Sequence, residues 1–315
     1  MVDPDDLDAL TPKQFRAKLA DLASEFRRHI EAQVESFPTD TAAREARRAR
    51  AATDFRCFAE TYFPHYIRTK TDIETGEARP VEPSRFHHWL FDNLPAIVSK
   101  QRSVRQAIIA PRGEAKSTYV SLIFVLWSLL YERKHYVVVI MDSYEQAAVQ
   151  VEAIKAELEY NARLAMDFPD ATGQGAVWRE GEAVTAHKRK IHARGSGQRL
   201  RGLKHGARRP DLVVLDDIEN DENVRSPEQR DKLHRWVRQA VEHLGEAGEK
   251  LDLVYVGTIL HYDSVLARTV ANALWQSVKF AAVQRWPDEM GLWEQWEETL
   301  LNEGEDAADH FYRKY

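Results

Sequence analysis

The 315-residue chain has a single cysteine, Cys57, so no internal disulfide framework can hold it together, and a reducing compartment suits it. No apolar run reaches the roughly 20 residues that a membrane-spanning helix needs. Behind Met1 the acids Asp3, Asp5 and Asp6 flank Pro4, which is not the basic-then-apolar start of a secretory leader. Positive charge is not in excess either. The formal net charge of −6 excludes a chain that binds nucleic acid through its overall charge. There are no internal repeats and no low-complexity tract. What is present is 43% hydrophobic residues with eight tryptophans, enough for one large α/β domain with an appended helical piece. Charge is concentrated in one place. Lys188, Arg189, Lys190, Arg194, Arg199, Arg201, Lys204, Arg208 and Arg209 follow one another with no acid among them.

Apolar spacing predicts a helix over 12–34 and a second over 41–66, after the break at Phe37-Pro38. Residues 69–82 read as an irregular connection, and Pro83-Ser84 starts a helix to about residue 94. From there strands alternate with helices. Strands are predicted at 104–110, 136–142, 212–215, 251–258 and 277–283, and helices at 116–131, 143–165, 227–244 and from Ser264. Wholly apolar strands between helices predict a parallel sheet covered on both faces. From Trp286 onward the chain is rich in Trp and Glu and reads as helix without strand.

Three strand ends carry chemistry. The first is Ala110-Pro111-Arg112-Gly113-Glu114-Ala115-Lys116-Ser117-Thr118, in outline a phosphate-binding loop, with Ala110 and Ala115 where G-x-x-x-x-G-K-[ST] has glycine. Phosphate needs converging backbone N–H groups, a lysine and a hydroxyl for magnesium, and Gly113 can still make the left-handed turn. A plain strand–turn–helix corner with a solvated lysine is the competing reading. The second is Asp211-Leu212-Val213-Val214-Leu215-Asp216-Asp217, where the first strand-end acid would hold magnesium and the next would polarise the attacking water. Asp217 fits that second role by spacing, and Glu219 has the longer arm. The third is Gly257-Thr258, a strand tip whose hydroxyl either senses the γ-phosphate or only caps a turn.

Taken in order, these motifs resemble the ATPase domain of the large terminase subunit of tailed bacteriophages, over about 83–285. Asp142-Ser143-Tyr144-Glu145-Gln146-Ala147, Leu200-Arg201-Gly202 and Gly257 to Ser264 add to the likeness. The resemblance implies a P-loop NTPase of the RecA/ASCE kind. That means a mainly parallel sheet flanked by helices, an N-terminal helical lid or subdomain at 1–82, an ATPase core at 83–285 and a helical linker at 286–315. It implies ATP and Mg2+ as cofactors. Arg112, Gly113, Glu114, Ala115, Lys116, Ser117 and Thr118 would bind the nucleotide, with His87 where the family's adenine-contacting glutamine stands. Ser117 and Asp216 would hold the metal, and Asp217 or Glu219 would be the catalytic acid. Arg112 within the subunit, or Arg201 offered to a neighbour, would be the arginine finger, and Gly257-Thr258 would couple hydrolysis to movement.

The basic run, made loop-like by Gly195, Gly197, Gly202 and Gly206, would meet DNA phosphates through Lys188, Arg189, Lys190, Arg194, Arg199 and Lys204. Implied partners are double-stranded DNA, a portal protein, a small terminase subunit and further copies in a ring, a pentamer by likeness, with a monomer in isolation as the other state. No membrane is implied, and the place of work is the host cytoplasm at the procapsid portal vertex. The family's nuclease domain would be absent, so no nuclease activity is expected. Two other readings stay open: a helicase-like DNA-dependent ATPase, and a nucleotide-gated DNA-binding or assembly protein with negligible hydrolysis.

Overall fold

The computed structural model describes residues 7–38, 40–67, 69–71, 78–283 and 285–315. The chain forms two compact units, Met1–Lys279 and Phe280–Tyr315. The first opens with α1 (Pro12–Gln33), whose N-terminus is closed by a reciprocal cap between Thr11 and Gln14. The expected helix over 41–66 is two, α2 (Thr41–Thr53) and α3 (Phe55–Tyr62). The joint is Asp54, extended at ψ 98°, which ends one helix and accepts the Cys57 amide to begin the next. Within the expected irregular stretch, β1 (Thr69–Thr71) and β2 (Ala78–Pro80) pair antiparallel. Next comes α4 (Arg85–Ser99), followed by β3 (Arg105–Ile109), the strand that leads into the phosphate loop.

The helix after that loop opens with a wide π-type turn, Ser117–Ile123, before α5 (Phe124–Leu130). β4 (Tyr136–Met141) and α6 (Tyr144–Tyr160) follow, and Asn161 then restarts the chain as α7 (Ala162–Asp167), where one helix to residue 165 was expected. The rest of the unit comprises β5 (Gln174–Arg179), β6 (Glu182–Thr185), β7 (Lys190–Gly195), β8 (Leu212–Asp216), α8 (Pro227–Trp236, extended by a wide turn Val237–Val241), β9 (Asp252–Gly257), α9 (Val265–Val270) and β10 (Gln276–Lys279).

The sheet runs β10-β3-β9-β8-β4-β7-β6-β5. From β10 to β7 all neighbours are parallel, while β6 and β5 return antiparallel as a hairpin. One strand, β9, therefore lies between the phosphate-loop strand β3 and the acid-bearing strand β8. That is the RecA/ASCE order among P-loop folds, and it brings the three motif-bearing strand ends to one edge. On one face Val237, Val241, Leu244, Val265 and Leu266 from the α8 segment and α9 cover Ala107, Ile109, Val213, Leu215, Leu253 and Tyr255. On the other face α6 lies on β4 and β7, and the turn Ser117–Ile123 meets β8.

The N-terminal helices add a further layer on that second face. Ile30 and Val34 pack on Ala156 of α6, the fully buried Trp127 donates its indole N–H to the Ala51 carbonyl at 2.9 Å, and Arg47 holds the buried Asp167 at 2.8 Å. They are thus built into the core of the first unit. In the second unit α10 (Met290–Glu303) and α11 (Glu305–Lys314) pack on each other through Trp293 and Tyr312, with the reversal at Gly304 in the left-handed region at φ 91°.

The basic run departs from its expected course. Its first part is no loop, because Lys190–Gly195 is strand β7, hydrogen-bonded between β4 and β6. Ile191 and Ala193 are buried, and the charges beside them are neutralised at short range. Lys190 Nζ lies 2.6 Å from Glu182 Oε1, and Arg189 pairs with Glu132. Lys188, Arg199 and Lys204 are exposed, while Arg194 is half-buried and donates to the Ala193 carbonyl.

Candidate active site

Three parallel strand ends converge here. β3 leaves the sheet at Ala110, whose N–H donates to the Gly257 carbonyl at the end of β9 (3.1 Å), and β8 delivers Asp216 and Asp217 beside the same strand. The loop between Ala110 and Lys116 turns through Gly113 at φ 85° and Ala115 at φ 51°. An alanine in the left-handed region costs about 1–2 kcal/mol of local strain, the consequence of losing the usual glycine. Asp217 also stands at positive φ, 42°. Two of the strained residues in the described chain thus flank the same lysine, a concentration typical of functional sites.

Lys116 is 95% buried and its ammonium is fully occupied. It donates to the Pro111 carbonyl at 2.9 Å, to Thr258 Oγ1 at 2.9 Å and to the Ala110 carbonyl at 3.4 Å, and lies 3.7 Å from Asp217 Oδ2. Thr258 in turn donates its hydroxyl to the Ala110 carbonyl at 3.1 Å and its N–H to Asp217 Oδ1 at 2.9 Å. Gly257 is needed for this approach, since a Cβ there would come within 3.0 Å of Asp217 Oδ1 and 3.2 Å of Leu266. Lys116, Asp217 and Thr258 therefore form one hydrogen-bonded and ion-paired cluster.

Asp216 is wholly buried. Its Oδ2 accepts the Ser121 hydroxyl at 2.6 Å, while Oδ1 has no hydrogen-bond partner. Burial, and next the charge of Asp217, push its pKa up to about 6, against the opposing pull of the Ser121 and Ser117 hydroxyls. A buried carboxylate oxygen without a donor, beside a serine hydroxyl, suits a hard divalent cation. Magnesium takes one or two carboxylates and completes its shell with phosphate and water. Asp216 and Ser117 fit that ion. Ser121 escaped the sequence reading, although it lies one turn beyond Ser117 on the same helix and that spacing was a legible signal.

Glu219 is placed differently. Its carboxylate is buried and accepts the amides of Val265 (2.7 Å) and Leu266 (3.1 Å), at the start of α9, and the Tyr255 hydroxyl at 3.3 Å. Burial raises its pKa, and those donors oppose the rise. The side chain is committed to holding α9, and Asp217 is the acid brought to Lys116. Arg112 sits on the rim of the phosphate loop, exposed, 3.3 Å from Asp221 Oδ2. Asp221, beyond the second acidic motif, had no signal in the sequence. Ser84 accounts for His87: its N–H meets Nδ1 at 3.2 Å in the cap of α4, and its hydroxyl donates to Glu114 of the phosphate loop at 3.0 Å. His87 also packs edge-on against Tyr119 at 4.9 Å, so it stands beside the loop. Arg201 is exposed on the α8 side of the sheet, lining a cavity with Arg209, Gln239 and His243.

The mostly parallel eight-stranded sheet flanked by helices, with β9 between β3 and β8, is a P-loop fold. The chain is similar to two solved structures of the large terminase ATPase domain of Thermus phage P74-26. The first matches at 17% identity and a TM-score of 0.41, over 70% of this chain and 94% of that one. A point mutant of the same domain matches at 17% identity and a TM-score of 0.40 with the same coverage. No protein-family model matches the chain, and a search of curated proteins finds no match.

Proposed function

We propose that this chain is the ATP-hydrolysing motor of a terminase-type machine that moves double-stranded DNA into a procapsid. The observation that carries the nucleotide part is the meeting of Lys116, Thr258, Asp217 and the donor-poor Asp216 at the ends of three adjacent parallel strands. Lys116 would exchange its carbonyl partners for the β/γ-phosphates. Asp217, released from that lysine, would orient and polarise the attacking water. Magnesium, when bound at Asp216 and Ser117, neutralises charge on the phosphate oxygens. Thr258, which touches Lys116 and Asp217 at once, would register loss of the γ-phosphate. Arg112 is the arginine on the loop's own rim, so it is assigned to the transferring phosphoryl group.

The DNA part rests on the ordered motif resemblance and on the exposed bases Lys188, Arg199 and Lys204. With it come the portal, the small subunit, a ring of copies and a site of action at the portal vertex in the host cytoplasm. Steady-state phosphate release by wild type, Lys116→Ala and Asp217→Asn tests the hydrolytic reading. Both variants should fall roughly a hundredfold or more, the usual scale for losing a positioned acid–base group or phosphate contact. Equal release from all three proteins would overturn it.

A further inference from the structure

The C-terminal half of the α8 segment carries a basic face that the nucleotide site does not use. Two cavities of about 310 Å³ each lie along it and share Gln239 and His243. Arg235 and Arg238 line one, and Arg201 and Arg209 line the other. No acidic residue lines either. Of the carboxylates near it along the chain, Asp231 pairs with Arg268, Glu242 accepts from Arg105 and Trp275, and Asp211 accepts the amides of His135 and Tyr136. Among the described residues Arg201, Arg209 and Arg238 have no carboxylate partner, and Arg235 reaches only the Asp231 backbone carbonyl. Four guanidinium groups held at one groove without counter-charge form a site of unspent positive potential on a chain whose net charge is −6.

The groove is built, and its walls are fixed. Leu200 on one side and Val237, Val241 and Leu244 on the other are buried in the same core cluster, and the Trp236 indole N–H donates to the Gln198 carbonyl at 2.9 Å across it. The planar guanidinium fork takes the oxygen pair of a phosphate or a carboxylate bidentately. Among the lining residues only Gly202, Ala240 and Leu244 are apolar, and none is Trp, Tyr or Phe. A protein partner would want an aromatic or apolar anchor at such a place, whereas a phosphate backbone wants only spaced cations. The wall that holds Arg201 and Arg209 is also the direct continuation of the exposed bases Arg199 and Lys204.

We propose that the groove between segment 200–209 and the C-terminal half of α8 binds the backbone phosphates of double-stranded DNA through Arg201, Arg209, Arg235 and Arg238. This deepens the reading above by giving the DNA a place, and it moves the contact away from Arg189 and Lys190, which are held in ion pairs.

The test is titration of a fluorescein-labelled duplex, without nucleotide, by wild type, Arg235→Ala/Arg238→Ala and Arg201→Ala/Arg209→Ala. Thermal melts confirm that each variant is folded. Each pair should weaken binding about tenfold or more at about 50 mM salt and reduce the slope of log K against log salt by about two. Wild-type affinity and slope in both variants, or no duplex binding by wild type, would overturn the assignment. A labelled poly-glutamate peptide of equal charge that binds tighter than the duplex through the same arginines would mark an acidic-protein site and also overturn it. Because no nucleotide is present, failure here and failure of the hydrolytic reading are read in separate experiments.

Discussion

At the scale of single residues, position relative to Lys116 separates two acids that look interchangeable in sequence. Asp217 lies 3.7 Å from the ammonium, whereas Glu219 is spent on the amides of Val265 and Leu266. Glu219→Gln is therefore a stability variant. Losing charge-assisted bonds in a buried site costs about 1–3 kcal/mol, several degrees of Tm for a domain of this size. A melting midpoint unchanged from wild type would contradict its structural role. Ser121→Ala should act on Asp216 in a similar way. It takes the Ser121 hydroxyl away from a wholly buried carboxylate, so Tm should fall, and magnesium with nucleotide should restore part of the loss. The Asp-Asp pair and the lysine were legible because each is a fixed chemical type at a strand end. The duty of Glu219 was not, because it depends on where α9 begins in space.

Among elements, the loop after Thr258 is tied to its neighbours by one carboxylate. Asp263 receives Arg268 at 2.7 Å and Arg230 of α8 at 3.2 Å, and Arg268 also binds Asp231. The strand tip that touches Lys116 is thereby linked to the helix that carries the basic groove. Asp263→Asn removes the carboxylate that Arg268 and the buried Arg230 share, and should reduce the stimulation of ATP turnover by duplex DNA. An unchanged ratio of turnover with and without duplex would contradict the link.

Strand β7 supplies a pH test. Burial, and then the nearby charge of Arg194, hold His192 down to a pKa of about 3, so the folded chain refuses a proton that the unfolded chain accepts below about 6.5. Stability from this group is complete above pH 6.5 and drains away as pH falls toward 3. Urea midpoints of wild type should drop more steeply than those of His192→Asn between pH 6.5 and 4.5, and parallel curves would contradict this. β7 itself was hidden in the sequence by its bases. Lys190 reads as solvated until Glu182, on the neighbouring strand, is seen to neutralise it.

For the molecule as a whole, the parallel sheet and its motif-bearing edge were readable because apolar strands and their terminal residues obey local rules. The β5–β6 hairpin, the wide turn at Ser117 and the break at Asp54 were not, since each is set by pairing or capping across the fold. The N-terminal helices read correctly as helices, but their burial through Trp127 and Asp167 is a tertiary fact. The same holds for the four groove arginines, which come from two separate segments of sequence. In the hydrolytic reading proposed above, three strand ends assemble one site in which Asp217 handles the water. The most direct test is single-turnover phosphate release from pre-bound ATP, with nucleotide binding measured on the same samples of wild type and Asp217→Asn. Both proteins should bind ATP and magnesium, and release from the variant should be slower by roughly a hundredfold or more. Release from Asp217→Asn at the wild-type rate, with nucleotide bound, would contradict it.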